Sequence, residues 1–176
     1  MAIYHLRFGL VQRSKGQSAM AVAAGRARVR LHDRRLDRTQ APLPAKRGTM
    51  PILSKVLLPD GAPDRWHNRE ALWNEVEACE RRRDACLARE VEFAFPAELL
   101  PYQAAALARD YVQVAFAAEG MAADLNVHWA LRPDGHPSPM PRSCSRCAAR
   151  TPRASGSRSG LGTTAQPPCG GANSGR

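Results

Sequence analysis

The chain has 176 residues and a mass of 19.2 kDa, room for one domain with a tail and too little for a multidomain machine. Its 44% hydrophobic residues suffice for a core, and 26 Lys+Arg against 16 Asp+Glu give a net charge of +10, which favours a polyanionic partner. No run approaches the roughly 18 apolar residues of a membrane span, and Met1–Gln12 lacks the basic, apolar, small-residue order of a signal peptide. The chain reads as cytoplasmic, without a membrane partner.

Alternation at period 2 predicts a first strand over 2–10, with Tyr4, Leu6, Phe8 and Leu10 on an apolar face and His5 and Arg7 on the other. A helix is expected at about 17–31. A second strand follows over 52–58, closed by Pro59, Asp60 and Gly61, and a helix over 67–88. In 89–95, Val91, Phe93 and Phe95 oppose Glu90 and Glu92. Pro96 and Pro101 bracket a loop before a helix over 102–119, where Leu107, Tyr111, Val114 and Ala118 recur at helical spacing. A strand over 125–131 sets Leu125, Val127, Trp129 and Leu131 against Asn126 and His128. Strands with one apolar and one polar face suit an α+β fold, a mainly antiparallel sheet with helices packed on one face.

Composition breaks near residue 138. The 39 residues from Ser138 to Arg176 hold no Asp, Glu or aromatic residue, but seven Ser and six Arg. Such a stretch cannot bury enough apolar surface to order itself, so 1–137 is expected to be the folded domain and 138–176 a disordered basic tail. Removing the six tail arginines leaves 20 basic against 16 acidic residues, so much of the net charge belongs to the tail.

The polar strand positions His5, Arg7, Glu90, Glu92, Asn126 and His128 could share one sheet face. Two histidines and two carboxylates there suit a metal or phosphodiester site; a solvated sheet face with incidental histidines fits the pattern too. The run Arg26, Arg28, Arg30, Arg34, Arg35 and Arg38, with Arg13 and Lys15, could neutralise DNA phosphates or simply be solvated. Glu75–Arg83 reads as an exposed, mixed-charge helix face. Five cysteines without secretory context argue against a disulfide framework. Cys144 and Cys147 have zinc-knuckle spacing, with only His136 and Cys169 at loose spacing to complete a site.

Several segments together resemble one family. Met1-Ala-Ile-Tyr-His-Leu6, Arg13-Ser-Lys-Gly-Gln-Ser-Ala19, Leu87-Ala-Arg-Glu-Val-Glu-Phe-Ala-Phe-Pro96 and Ala123-Asp-Leu-Asn-Val-His-Trp129 look like the MobA/MobL plasmid relaxases, including the TraA-type conjugal transfer proteins, over about 1–137 in one colinear pass. The resemblance implies a relaxase fold of the histidine-hydrophobic-histidine type. It also implies nicking of single-stranded plasmid transfer-origin DNA by a tyrosine, with Mg²⁺ or Mn²⁺ on three histidines and mobilisation accessory proteins as further partners. His128 matches the first metal histidine, and Glu90 and Glu92 match strand carboxylates with supporting roles in catalysis. Arg13, Lys15, Arg26, Arg28, Arg30 and Arg34 become the DNA-binding candidates. Tyr4 belongs to the family opening but reads as core.

Two departures qualify the resemblance. The family's nucleophile stands in a context like Ala-Ala-Tyr-Arg; this chain reads Ala23, Ala24, Gly25, Arg26. Where family members continue with Pro-His-Ala-His and a hydrophobic strand, Met140 and Arg142 occupy the two histidine positions. Codons for Met140 and Pro141, read one base earlier after a C, spell His-Ala, and those for Ser143 and Cys144 permit Val-Met. A single-base loss near Pro139, making 138–176 largely an out-of-frame translation, accounts for this; an authentic tail joined there is the other reading. The expectation is a truncated, catalytically impaired relaxase-family protein, the alternatives being a non-catalytic DNA-binding remnant or a pseudogene product.

Overall fold

The computed structural model describes residues 6–42, 49–96, 98–130 and 144–150. Strand β1 (Leu6–Gln12) ends in a single 3-10 turn closed by Gly16 at φ 70°. Helix α1 (Ala19–Ala27) starts at Ser18, whose hydroxyl accepts from the Ala21 N–H. It stops short of the expected 31 because Arg28 turns left-handed, at φ 56°. The Arg28 guanidinium holds that turn by donating to the carbonyl (2.8 Å) and hydroxyl of Thr49.

A small hairpin, β2 (Leu31–Asp33) and β3 (Arg38–Gln40), follows where the sequence showed only an arginine run. Asp33 organises it. One carboxylate oxygen accepts from the Arg35 and Leu36 N–H groups (both 3.1 Å), the other from the Ser18 hydroxyl and the Gln40 amide. Asx turns of this kind offer the backbone an alternative to helix.

Next come β4 (Thr49–Leu57), α2 (Arg69–Cys79) and β5 (Cys86–Ala94). Helix α2 covers only half of the expected 67–88. After Cys79 the run from Glu80 to Asp84 has no apolar residue to keep on the core, and the chain turns into β5 instead. Helix α3 (Pro101–Val112) runs on into a π turn at Gln113–Ala117 and leads to β6 (Ala122–Ala130); β7 is Cys144–Arg150.

Five strands make one antiparallel sheet in the order β1-β5-β7-β6-β4. Strand β7 lies inside the segment that composition assigned to a disordered tail, and it fills the central slot. Its neighbours β5 and β6 each present a row of backbone N–H and C=O groups, and ladder pairing does not depend on side-chain identity.

The expected α+β architecture and antiparallel sheet are present, but the expectation of helices on one face is corrected. Helices α1 and α2 pack on one face over Val11, Val56 and Ala88, with Met20, Leu72 and Trp73. Helix α3 packs on the other, setting Ala104, Ala108 and Val112 against Leu125, Val127 and Trp129. Small residues at every fourth position let α3 approach closely. Burying each large side chain beneath it contributes about 1.5–3 kcal/mol. The one-sided expectation failed because polar positions on β6 were read as solvated. Asp124 and Asn126 are instead buried, 2% exposed each, with their hydrogen bonds made to α2 and β4.

Helix α3 sits over β4 and β6 and leaves the outer face of edge strand β1 uncovered. Leu6, Phe8 and Leu10 are 55%, 71% and 48% exposed, contrary to their expected place in the core. Tyr4 and His5 lie outside the described residues.

Candidate functional site

The sheet face under α1 gathers most of the residues singled out above. Cross-strand partners share a face, so the register puts Arg7 with Glu92, Gly9 with Glu90, and Val11 with Ala88 on β1 and β5. On β6 the same face carries Asp124, Asn126 and His128. Across β7, Glu92 shares a row with Asn126, and Glu90 with Asp124. At about 4.8 Å per strand and 6.7 Å per two residues, the Glu92 and His128 backbones lie roughly 12 Å apart. The structure therefore brings the carboxylates and His128 to one face, with Glu92 two strands and one row away from the histidine.

Glu90 is engaged from above. The Arg26 guanidinium of α1 forms an ion pair with its carboxylate, both side chains being largely buried. Gly9 makes the room: a Cβ there would stand 3.3 Å from the Glu90 Oε2. Gly25, one residue before Arg26, is half-buried in α1. Position 25 thus belongs to the helix that covers this face, and it carries no hydroxyl.

Behind Asn126 lies a network that sequence reasoning missed. Asp124 receives two parallel bonds from Arg69, Nε to Oδ2 (2.8 Å) and a terminal nitrogen to Oδ1 (2.9 Å). Trp73 Nε1 and Asn126 Nδ2 donate to the same carboxylate at 2.9 Å each. Ser54 closes the set, donating to Asn126 Oδ1 at 2.7 Å and accepting from Arg69. Four donors thus converge on one carboxylate, which fixes the rotamers beneath α1 and orients the strand that carries His128. The only sequence signal was the i, i+2 placement of Asp124 and Asn126, and it looks the same for a solvated face.

The arginines divide into two groups. Arg13 donates to Glu77 (2.6 Å) and to the Glu80 carbonyl, Arg26 pairs with Glu90, and Arg28 holds Thr49. Their charges serve the fold. Lys15, Arg30 and Arg34 are exposed, as are Arg35 and Arg38. Glu77, read from sequence as part of an exposed helix face, is in fact buried at 2% exposure. It accepts from Arg13, Arg35 and the Ala19 N–H at the start of α1. The segment Arg81–Arg83 is a turn rather than helix.

For a divalent metal, the described residues contain no group of three His, Cys, Asp or Glu side chains able to hold one. Positions 140 and 142 lie outside the described residues. Their identities, a methionine thioether and a guanidinium, beside the single imidazole of His128, do not fit a hard divalent cation. Cys144, Cys147, His136 and Cys169, the loose zinc candidates, have no described side chains. Cys79 is exposed and Cys86 half-buried, its Sγ 3.7 Å from the Ala88 carbonyl. Among the described residues no helix is long and apolar enough to cross a membrane.

The sequence pattern of the MobA/MobL family matches residues 17–138. Mobilization protein MobL of Acidithiobacillus ferridurans is 39% identical over 128 residues, 73% of this chain and 32% of that protein. Conjugal transfer protein TraA of Rhizobium radiobacter is 37% identical over 139 residues, 73% of this chain and 12% of that protein. The chain thus spans a third or less of the length of these relatives. A solved structure described as "Molecular Basis of Vancomycin Resistance Transfer in Staphylococcus aureus" superimposes with a TM-score of 0.69 at 28% identity, covering 84% of this chain and 70% of its own. With more than half of its residues matched, this chain belongs to the MobA/MobL family and carries a relaxase region of the conjugal transfer and mobilisation proteins.

Proposed function

We propose that this chain binds single-stranded plasmid transfer-origin DNA without nicking it. The observation that carries the reading is Gly25. It stands in α1, over the sheet face that bears Glu90, Asn126 and His128, where the resemblance calls for a tyrosine. Glycine has no hydroxyl to attack a phosphate, and neither Glu90 nor Glu92 can replace a phosphotyrosyl linkage that is never formed. The donor set at 128, 140 and 142 argues against a catalytic metal as well, so no step of this account passes through one. What is left is charge. Exposed Lys15, Arg30 and Arg34 supply cations for phosphates, while Arg26 and Glu90 hold α1 to the sheet beneath.

The family match ends at residue 138, where the composition changes. That coincidence supports the reading of 138–176 as largely out of frame, and with it the truncation of the relaxase domain. Fluorescence anisotropy on a labelled transfer-origin strand tests the binding half of the proposal. Affinity should fall steeply with salt and be at least as high in EDTA as in Mg²⁺ or Mn²⁺, which compete for the same phosphates. Binding that requires a metal, or no binding at low salt, would refute it.

A further inference from the structure

The sheet face turned away from α1 and α2 carries an apolar surface that the function above does not use. Helix α3 covers β6 and β4 there. Strand β1, the outermost described strand at the far side, keeps Leu6, Phe8 and Leu10 on that face, each about half exposed or more. Cross-strand pairing sets Leu6 beside Phe93 of β5, and the Phe93 ring meets Tyr111 of α3 edge to face, with centroids 5.5 Å apart. Leu107 stands one helical turn before Tyr111 on the same flank, and both are about half exposed. The surface is thus a corner, with a floor made by β1 and β5 and a wall made by the flank of α3. Arg89, exposed in the row of Leu10, marks its polar rim.

The five exposed side chains amount to roughly 550 Å², near the top of the ~300–600 Å² that the largest patch on a monomer presents. What fits such a corner is a second corner of the same shape. A helix with its side chains is about 10–12 Å thick, and two stacked sheets lie about 10 Å apart. The step from floor to wall therefore matches the height at which a second sheet would rest on the floor. A copy turned by 180° lays its β1 floor on this one and sets its β1 edge against this α3 flank, and receives the same in return. The two edges of the sheet differ in the way this needs. Pro51 coincides with a register shift in β4 and Lys55 is exposed on it, devices that blunt an edge. Strand β1 has neither, and its one charge, Arg7, points to the opposite face; a helix laid along such an edge protects it instead. Two patches together remove roughly 1,100 Å² from water, just above the ~1,000 Å² that a specific interface needs. We infer that two copies of this chain close on each other about a two-fold axis through this corner, β1 floor on β1 floor and each β1 edge against the partner's α3.

The test is sedimentation velocity on the full chain from about 1 to about 100 μM, in about 0.5 M salt so that no nucleic acid bridges two copies. The wild type should pass from monomer to dimer within that range and go no further, because a two-fold interface closes on itself. Phe8→Glu on the floor and Leu107→Glu on the wall should each weaken association by at least about a hundredfold. Both positions are exposed, so both variants should melt with the wild type at dilutions where it is monomeric. If Phe8→Glu disturbs the strand, Leu107→Glu still decides, since glutamate is a good helix former on an exposed flank. Leu36→Glu, at an exposed leucine of the β2–β3 hairpin across the sheet, should dimerise like the wild type. A wild type that stays monomeric at about 100 μM overturns the proposal and leaves the corner to a different partner. Growth beyond the dimer would mean open edge-to-edge pairing of β1 and overturn the two-fold arrangement. A folded Leu107→Glu variant that dimerises as tightly as the wild type places the contact elsewhere and overturns it as well.

Discussion

Replacing Asp124 by Asn probes the network that orients the sheet face. The change is nearly isosteric, so packing is preserved and only the hydrogen bonding and charge are altered. Each carboxylate oxygen now accepts from two donors: Arg69 and Trp73 on one, Arg69 and Asn126 on the other. An amide offers one acceptor oxygen and turns its NH2 toward two of those donors. The Arg69 side chain, 14% exposed, loses its counter-charge. Removing one member of a buried pair costs about 3–5 kcal/mol, because the other charge stays buried without compensation. Against a total stability of about 5–15 kcal/mol this is a large fraction. With a urea m-value of about 2 kcal/mol/M, the midpoint should drop by about 2 M. Trp73 lies inside the network, so its fluorescence reports the unfolding directly. A D124N protein within about 1 kcal/mol of the wild type would refute the reasoning and show the carboxylate to be solvated in practice. A double replacement, R69M with D124L, should recover much of the loss, since removing both partners leaves no orphan charge.

Two further outcomes follow from the same contacts. The Arg65 hydrogen bond, helped by the Trp66 indole and the charges of Arg65 and Arg34, holds the Glu75 carboxyl below the ordinary value of about 4.5. Its contribution is therefore present above that value and lost as pH falls through the lowered one, so E75Q should be less stable than wild type near neutrality and equal to it once the pH is below the lowered value, in urea titrations run at descending pH. A constant difference across that range would contradict the assignment. Phe8, 71% exposed on the edge strand, should tolerate threonine within about 0.5 kcal/mol while the protein becomes less prone to self-association in light scattering; a loss above about 2 kcal/mol would mean that face is covered.

Period-2 and helical patterns located the strands around Arg7, Glu92 and His128 and the three helices, because burial on one face repeats with the backbone period. The ends were harder. Helix α1 stops at Arg28 through a left-handed residue and two hydrogen bonds to Thr49, a partner 21 residues away that no local pattern reveals. The β2–β3 hairpin hid behind its arginines, its real signal being Asp33 as an Asx turn. Exposure was misjudged in both directions for one reason: polarity was taken as a proxy for solvent. Asp124 and Glu77 are polar and buried because donors reach them from distant elements, whereas Leu6 and Phe8 are apolar and exposed because α3 stops short of their strand. For the site, sequence put His128, Glu90 and Glu92 on one face but could not show Arg26 paired to Glu90 or Arg13 committed to Glu77.

The central claim, DNA engagement without strand cleavage, is tested most directly by incubating the full chain with a labelled transfer-origin strand in Mg²⁺ or Mn²⁺ and resolving it on a denaturing gel. The account predicts an intact strand and no covalently attached protein at any metal concentration, together with a salt-dependent shift on a native gel. Metal-dependent cleavage that leaves the protein covalently linked to the 5′-phosphate would contradict it, because position 25 would then not be where the nucleophile resides.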